Sequence, residues 1–287
     1  TQGSEELGGY KGFFKLSEME KYKKWLKKTL RVELVEGVGD PGILKAVFLA
    51  GGPGSGKSTV ATELFDLPSN SSVNRYGLKV INSDNEFEKM LHNMNISTDF
   101  SKLSPEEFER LTVGPQSTRE KAKRITRKKL DMYRKAKLGL IIDGTGDSIE
   151  SIQIKKRVME QHGYDCYMIF VNTSLQVAME RNAKRSRKIP EDLLSQMWYS
   201  CQNNLGHFQN IFRNNFRIVD RTKNNEPIDR GVLRSVIDFL KSPIKNPIGR
   251  KWIENYYKNV KKVDSVEQSD DDDSHLRTIE PMRPRNV

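Results

Sequence analysis

Ala46-Val-Phe-Leu-Ala-Gly-Gly-Pro-Gly-Ser-Gly-Lys-Ser-Thr59 is the stretch whose reading decides the fold. Residues 51–58 satisfy the spacing G-x-x-x-x-G-K-[ST] of a phosphate-binding loop. An apolar, β-rich run from Ile43 to Ala50 leads in, and a helix-compatible segment, Ser58-Thr-Val-Ala-Thr-Glu-Leu-Phe65, leads out. Glycines at 51, 52, 54 and 56 open backbone angles closed to residues with a Cβ, so successive N–H groups can turn toward one anion. The positive end of the following helix points at the same place. On this reading Gly52, Pro53, Gly54, Ser55, Gly56, Lys57, Ser58 and Thr59 form the cradle. Lys57 supplies a mobile charge for the β- and γ-phosphates, and the Ser58 hydroxyl a ligand for Mg²⁺. A nucleoside triphosphate is the implied ligand.

Outward from the loop, the pattern alternates strand and helix as far as about Leu240, the mark of a parallel α/β sheet covered on both faces. Expected strands are Leu44–Ala50, Leu78–Asn82, Leu138–Ile142, Cys166–Val171 and Phe216–Val219, short and rich in Val, Ile, Leu and Phe. Expected helices cover about 58–66, 118–137, 148–162, 174–187 and 191–212. The gap after the second strand exceeds a simple crossover. It holds Ser104-Pro-Glu-Glu107, a capping box with proline at the first helical position. The expected division is an N-terminal extension 1–42, a core 43–241, a helical extension 242–263 and an acidic tail 264–287. The extension includes a helix from Ser17 with an apolar stripe (Tyr22, Trp25, Leu26, Leu30) and a strand over Val32–Val38; the tail, with Asp270 to Asp273, reads as disordered.

The bulk composition narrows the classes. With 287 residues and 36% hydrophobic content, the chain has enough material for one sheet-centred core. No run approaches the roughly 18 apolar residues that cross a bilayer, and the polar N-terminus does not read as a signal peptide. Cys166 and Cys201 read as reduced packing residues, consistent with a cytoplasmic location. A formal charge of +11 favours anionic partners: nucleotides, nucleic acid or phosphorylated metabolites.

In sheets of this kind ligands lie beyond the carboxyl ends of the strands, so polar residues there carry the chemistry. Asp84 follows the second strand and fits two roles, acceptor of a proton from an attacking hydroxyl or cap of the helix that starts beside it. Asp143 follows the third strand, a position suited to holding Mg²⁺, and Gly144 after it stands where motor ATPases commonly carry a glutamate. That favours transfer to a bound acceptor over hydrolysis. Thr145 and Asp147 fit either an acceptor contact or a cap for the helix from Ser148, and capping suits Asp147. Arg181 and Arg185, at i and i+4, share a helix face, and Arg187 follows before Pro190. Three arginines there read as a lid over the triphosphate, against the alternative of a solvated basic helix. The helix over 118–137, dense in Lys and Arg, suits a nucleic-acid backbone or plain solvent equally. Asp220, ending the fifth strand, opens a loop placed to pack on adenine.

These motifs together resemble the P-loop kinase group that includes zeta-toxin-type kinases and the kinase domain of polynucleotide kinase. The matching stretches are Gly51–Thr59, Asn82-Ser-Asp84, Ile141-Ile-Asp-Gly-Thr145 and Arg181–Pro190. The resemblance implies a five-stranded parallel sheet of order 2-3-1-4-5, ATP with Mg²⁺, and phosphorylation of a hydroxyl. It implies Asp84 as base, Lys57, Arg181 and Arg185 as phosphate ligands, and Ser58 as metal ligand. The zeta branch often has an arginine soon after the base, where this chain has Asn85-Glu-Phe-Glu88. A 5′-hydroxyl polynucleotide or a nucleoside-like metabolite is therefore the expected acceptor ahead of a sugar nucleotide. The rival expectation is a non-catalytic module in which ATP orders the lid and the basic helix grips nucleic acid or protein.

Overall fold

A computed structural model describes residues 42–65, 76–185, 187–223 and 226–258. The predicted helix from Ser17, the strand over Val32–Val38 and the acidic tail lie outside these residues. Five strands, β1 (Lys45–Ala50), β2 (Lys79–Ile81), β3 (Leu140–Asp143), β4 (Asp165–Asn172) and β5 (Phe216–Asp220), form one sheet in the order β2-β3-β1-β4-β5. Every pairing is parallel. The fold class and strand order expected from the resemblance are those found.

The period-two alternation of a strand explains how the central strands divide two cores between them. Ala46, Phe48 and Ala50 of β1, with Cys166, Met168 and Phe170 of β4, face one cluster. Val47 and Leu49, with Tyr167, Ile169 and Val171, face the other. Helices α1 (Lys57–Phe65), α2 (Ser83–Asn93), α3 (Pro105–Thr112), α4 (Thr118–Lys135), α5 (Ile149–Gln161), α6 (Leu175–Lys184), α7 (Glu191–Asn203), α8 (Leu205–Phe212) and α9 (Arg230–Lys241) surround the sheet. The long connection between β2 and β3 builds a third cluster from Phe87, Leu91, Phe100, Leu111 and Ala122. Its helix α3 starts with the expected capping box: the Ser104 hydroxyl accepts from Glu107 N, and the Glu107 carboxylate accepts from Ser104 N.

Two helix boundaries differ from expectation. The run predicted as one helix over 191–212 breaks at Asn204, whose buried amide donates to Gly146 O at 2.9 Å across the carboxyl edge. The helix expected over 174–187 stops at Lys184, and Arg185 takes extended angles (φ −81°, ψ 151°). The cause is Asn182, which clasps Ile189 by both its amide atoms, donating to Ile189 O at 2.8 Å and accepting from Ile189 N at 3.0 Å. Arg185 therefore lies off the helix, exposed, and does not share a face with Arg181.

Residues 242–246 close onto the amino edge. Asp165 accepts from the backbone N–H groups of Lys245 and Asn246, each at 2.9 Å, and from the buried Lys45 ammonium at 3.1 Å. A further helix, α10, covers 247–258. Cys166 and Cys201 are buried free thiols, as expected of packing residues.

Candidate active site

The loop between β1 and α1 turns through two left-handed glycines, Gly54 (φ +75°) and Gly56 (φ +89°). Gly54 is also sterically committed: a Cβ there would lie 2.5 Å from Ala178 O on α6. Gly54→Ala should therefore push the loop and α6 apart. We expect at least a tenfold loss of ATP affinity, read by calorimetry, together with a lower Tm. Lys57 reaches back over the loop and donates to Gly51 O at 2.6 Å and Gly52 O at 3.2 Å. Ser58 and Thr59 are exposed in the first turn of α1, and Trp198 of α7 lies over Gly52.

Two carboxylates face this loop from the neighbouring strand ends, and Asn82 ties them together. Its Oδ1 accepts from Asp84 N at 2.7 Å, which makes Asn82 the cap of α2. Its Nδ2 donates to Asp143 Oδ2, also at 2.7 Å. Capping by Asp84, one of its two expected roles, is thus filled by Asn82, and the Asp84 carboxylate is left for other partners. Arg119 of α4 lies 2.5 Å from Asp84 Oδ1, and Arg187 lies 2.7 Å from Asp84 Oδ2. Burial pushes the Asp84 carboxyl up, but the two guanidinium groups outweigh it and hold the group well below the usual carboxylate range. Asp84 is a fixed negative charge.

Asp143 is the opposite case. Burial raises it, the charge on Asp84 raises it further, and Lys57 and the Asn82 amide offset only part of this, leaving its pKa at about 6. Its Oδ1 is buried without a hydrogen-bond partner. The ionised form is therefore costly in the folded chain, and the sign follows directly: this cost is present above pH 6 and disappears as Asp143 protonates below it. Asp143→Asn should raise Tm at pH 8, by up to about 3 kcal/mol in stability for a rise from 3.8 to about 6. The gap between variant and wild type should close between pH 6 and pH 4. A Tm difference independent of pH would count against the assignment.

The lid segment crosses the same edge. Arg181 donates to Gly54 O (3.2 Å), Ser55 O (3.3 Å) and Arg221 O (2.7 Å), joining the loop to the end of β5. Phe100 N donates to Lys188 O at 3.2 Å, so the inserted helices hold the segment from outside. Arg187 reaches Glu88 as well as Asp84. Asp220 spends its carboxylate within its own loop, accepting from Thr222 N (2.8 Å) and the Thr222 hydroxyl (2.7 Å). Asp147 accepts from the Thr145 hydroxyl at 2.7 Å, while Ser148 caps α5, so the capping expected of Asp147 belongs to Ser148.

Lys57, Asp84, Asp143, Arg181 and Arg187 thus meet at one edge, whereas Arg185 and Asp220 stand at its margin. Asn82 and Arg119 complete the site without having been singled out. Asn82 had a legible signal, an amide immediately before a helix start. Arg119 had none stronger than its place among many cations.

Among the described residues, no three His, Cys, Asp or Glu side chains are placed to hold a metal ion together. A divalent cation at Ser58 and Asp143 would draw its other ligands from phosphate and water, which is the habit of Mg²⁺. The orphaned Oδ1 of Asp143 fits that use.

A protein of Autographa californica nuclear polyhedrosis virus, provisionally named a bifunctional polynucleotide kinase/RNA ligase, is 29% identical over 189 residues, 62% of this chain. The chain spans about a quarter of that relative, 24% of its length. A solved Pnkp1/Rnl/Hen1 RNA repair complex aligns over 57% of this chain and 46% of its own, with 19% identity and a TM-score of 0.41. The PezAT toxin-antitoxin system of Streptococcus pneumoniae aligns over 87% and 97%, with 13% identity and a TM-score of 0.44. The sequence also matches the AAA_33 family, described as an AAA domain, over residues 47–203. That match takes in the phosphate loop, both carboxylates and the lid, more than half of the chain, and the chain belongs to this family.

Proposed function

We propose that this protein is an ATP-dependent kinase that moves the γ-phosphoryl group to a hydroxyl, with the 5′-hydroxyl end of a polynucleotide as acceptor. The observation that carries this reading is the opposition of two groups across the carboxyl edge of the sheet. A glycine cradle with its lysine stands at the end of β1, and a permanently ionised carboxylate, Asp84, stands at the end of β2.

The acceptor oxygen attacks the γ-phosphorus as the bond to the bridging oxygen breaks, ADP leaves, and the hydroxyl proton passes to Asp84. An acid held so far down is a weak base. In a loose phosphoryl-transfer transition state the proton moves late, so orienting the hydroxyl matters more than basicity. Both Asp84 oxygens carry a guanidinium, so the hydroxyl must displace one. Arg187 is on the lid and is the one that turns to the triphosphate, which at the same time frees Asp84 Oδ2. Lys57, Arg181 and the turned Arg187 neutralise the phosphates from the loop and lid. Ser58 and Asp143 would hold Mg²⁺, which would supply charge neutralisation to the phosphates. Adenine packs against the loop after β5, where Asp220, Thr222, Pro227 and Ile228 line an open cavity of about 720 Å³.

The polynucleotide acceptor draws support from the name of the viral relative and from the basic face of α4. No helix among the described residues is long and apolar enough to cross a membrane. The test is γ-labelled ATP with a panel of acceptors: a 5′-hydroxyl oligonucleotide, nucleosides and sugar nucleotides. Label on the oligonucleotide is the expected result. Label on a sugar nucleotide alone would move the assignment to a zeta-toxin-like kinase. ATP binding without transfer to any acceptor would make the protein a nucleotide-regulated binding module.

A further inference from the structure

Helix α4 carries nine cationic side chains, with Lys137 just past its end, and the structure sorts them. Lys129 pairs with Glu86 at 2.5 Å, Arg134 and Lys135 pair with Asp131, Arg124 donates to Pro115 O, and Lys137 donates to His162 O. These groups serve the fold. A different set, Arg119, Lys123 and Arg127, recurs every four residues and so runs along one face, with a rise of about 6 Å between successive members. The row begins at the candidate base, because Arg119 holds Asp84 Oδ1 and lies over the Phe87 ring at 5.2 Å. It then moves away from the site into solvent: Arg119 is 25% exposed, Lys123 49% and Arg127 60%. Glu120, between them, orients Arg127 at 2.5 Å and Lys123 at 4.0 Å.

Helix α5 adds one cation near this row. Leu130 and Tyr133 of α4 and Ile149 of α5 pack on the same core cluster, so the two helices lie side by side on one face of the sheet. From α5, Lys155 lies near enough to Lys123, Arg127 and Asp147 to feel their charges. Burial lowers its pKa and the two cations lower it further, while Asp147 opposes them. Cations brought near one another from two helices repel, and an arriving phosphodiester relieves that repulsion. A solvated face has no reason to converge in this way.

We propose that Lys123, Arg127 and Lys155 form a track for the sugar-phosphate backbone of a polynucleotide acceptor, leading from Asp84 outward between α4 and α5. This rests on the kinase reading for the placement of the reacting end, but binding along the track is independent of transfer. Aromatic side chains for base stacking are sparse along α4, so recognition is by backbone charge and tolerant of sequence.

The experiment is a fluorescence-anisotropy titration of 3′-labelled, single-stranded 5′-hydroxyl oligonucleotides of two to eight nucleotides over a KCl series, with label transfer from γ-labelled ATP measured in parallel. Affinity should climb with length over the first few nucleotides and then level off. Three phosphate contacts should give a log–log salt slope of about −2, at about 0.7 per contact for single strands. Lys123→Gln with Arg127→Gln, and Lys155→Gln separately, should flatten the length dependence and reduce the slope by about 0.7 for each charge removed. Lys121→Gln, an exposed lysine of the same helix outside the row, should leave length dependence and slope unchanged. A length profile and slope identical to wild type in the track variants would overturn the track. Salt-sensitive, variant-sensitive binding with no transfer would uphold the track and overturn the kinase reading.

Discussion

Asp84→Asn should lower the turnover number for phosphoryl transfer by about 10²- to 10⁴-fold, the usual contribution of a positioned proton acceptor. The amide keeps the size of the carboxylate and leaves the backbone N–H of residue 84 donating to Asn82 Oδ1. It cannot take a proton, and it leaves Arg119 and Arg187 facing each other without the charge between them. Arg187 is only 11% exposed, so that loss also destabilises the fold. The pH dependence follows from direction alone. A carboxyl held below its unfolded value contributes stability that is fully present above about pH 4 and is lost as pH falls below it. The variant should melt below wild type at pH 7, and the two should converge in acid. ATP affinity, measured by calorimetry, should change by no more than a few-fold, since the loop and Lys57 are untouched.

The second large effect belongs to Arg181. Its guanidinium bonds three carbonyls at once, two in the phosphate loop and one at the end of β5. In the proposed kinase the charge held beside the phosphate loop also acts on the transferring phosphoryl group, where an arginine contributes about 10³–10⁵ in rate. Arg181→Ala should therefore reduce turnover by at least about 10³-fold. Arg181→Lys separates charge from shape: an ammonium cannot make the planar fork to three oxygens, so it should recover only a small part of the loss. Full activity in the lysine variant would mean that the arginine acts as a simple counter-charge.

Much of the architecture was legible in the chain because its signals are local. The phosphate loop places four glycines, a lysine and a hydroxyl within eight residues, and the strands that carry Asp84 and Asp143 are short apolar runs. What escaped depends on contacts distant in sequence. The break at Asn204 exists because Gly146 O lies 58 residues away; locally the run reads as one helix. The end of α6 depends on the clasp between Asn182 and Ile189, which takes Arg185 off the face that i, i+4 spacing assigns to it. Arg119 reaches Asp84 only because Phe87, Leu91 and Ala122 pack α2 against α4. Spacing alone does not distinguish it from its eight cationic neighbours on the helix.

The most direct measurement of the central claim is a single-turnover assay with γ-labelled ATP and a 5′-hydroxyl oligonucleotide, run on wild type, Lys57→Ala and Asp84→Asn. The account predicts label on the oligonucleotide 5′ end with wild type, and its loss in both variants, through weakened ATP binding in the first and with ATP binding retained in the second. Transfer undiminished by Asp84→Asn, or ATP hydrolysed to free phosphate with the oligonucleotide unlabelled, would contradict it.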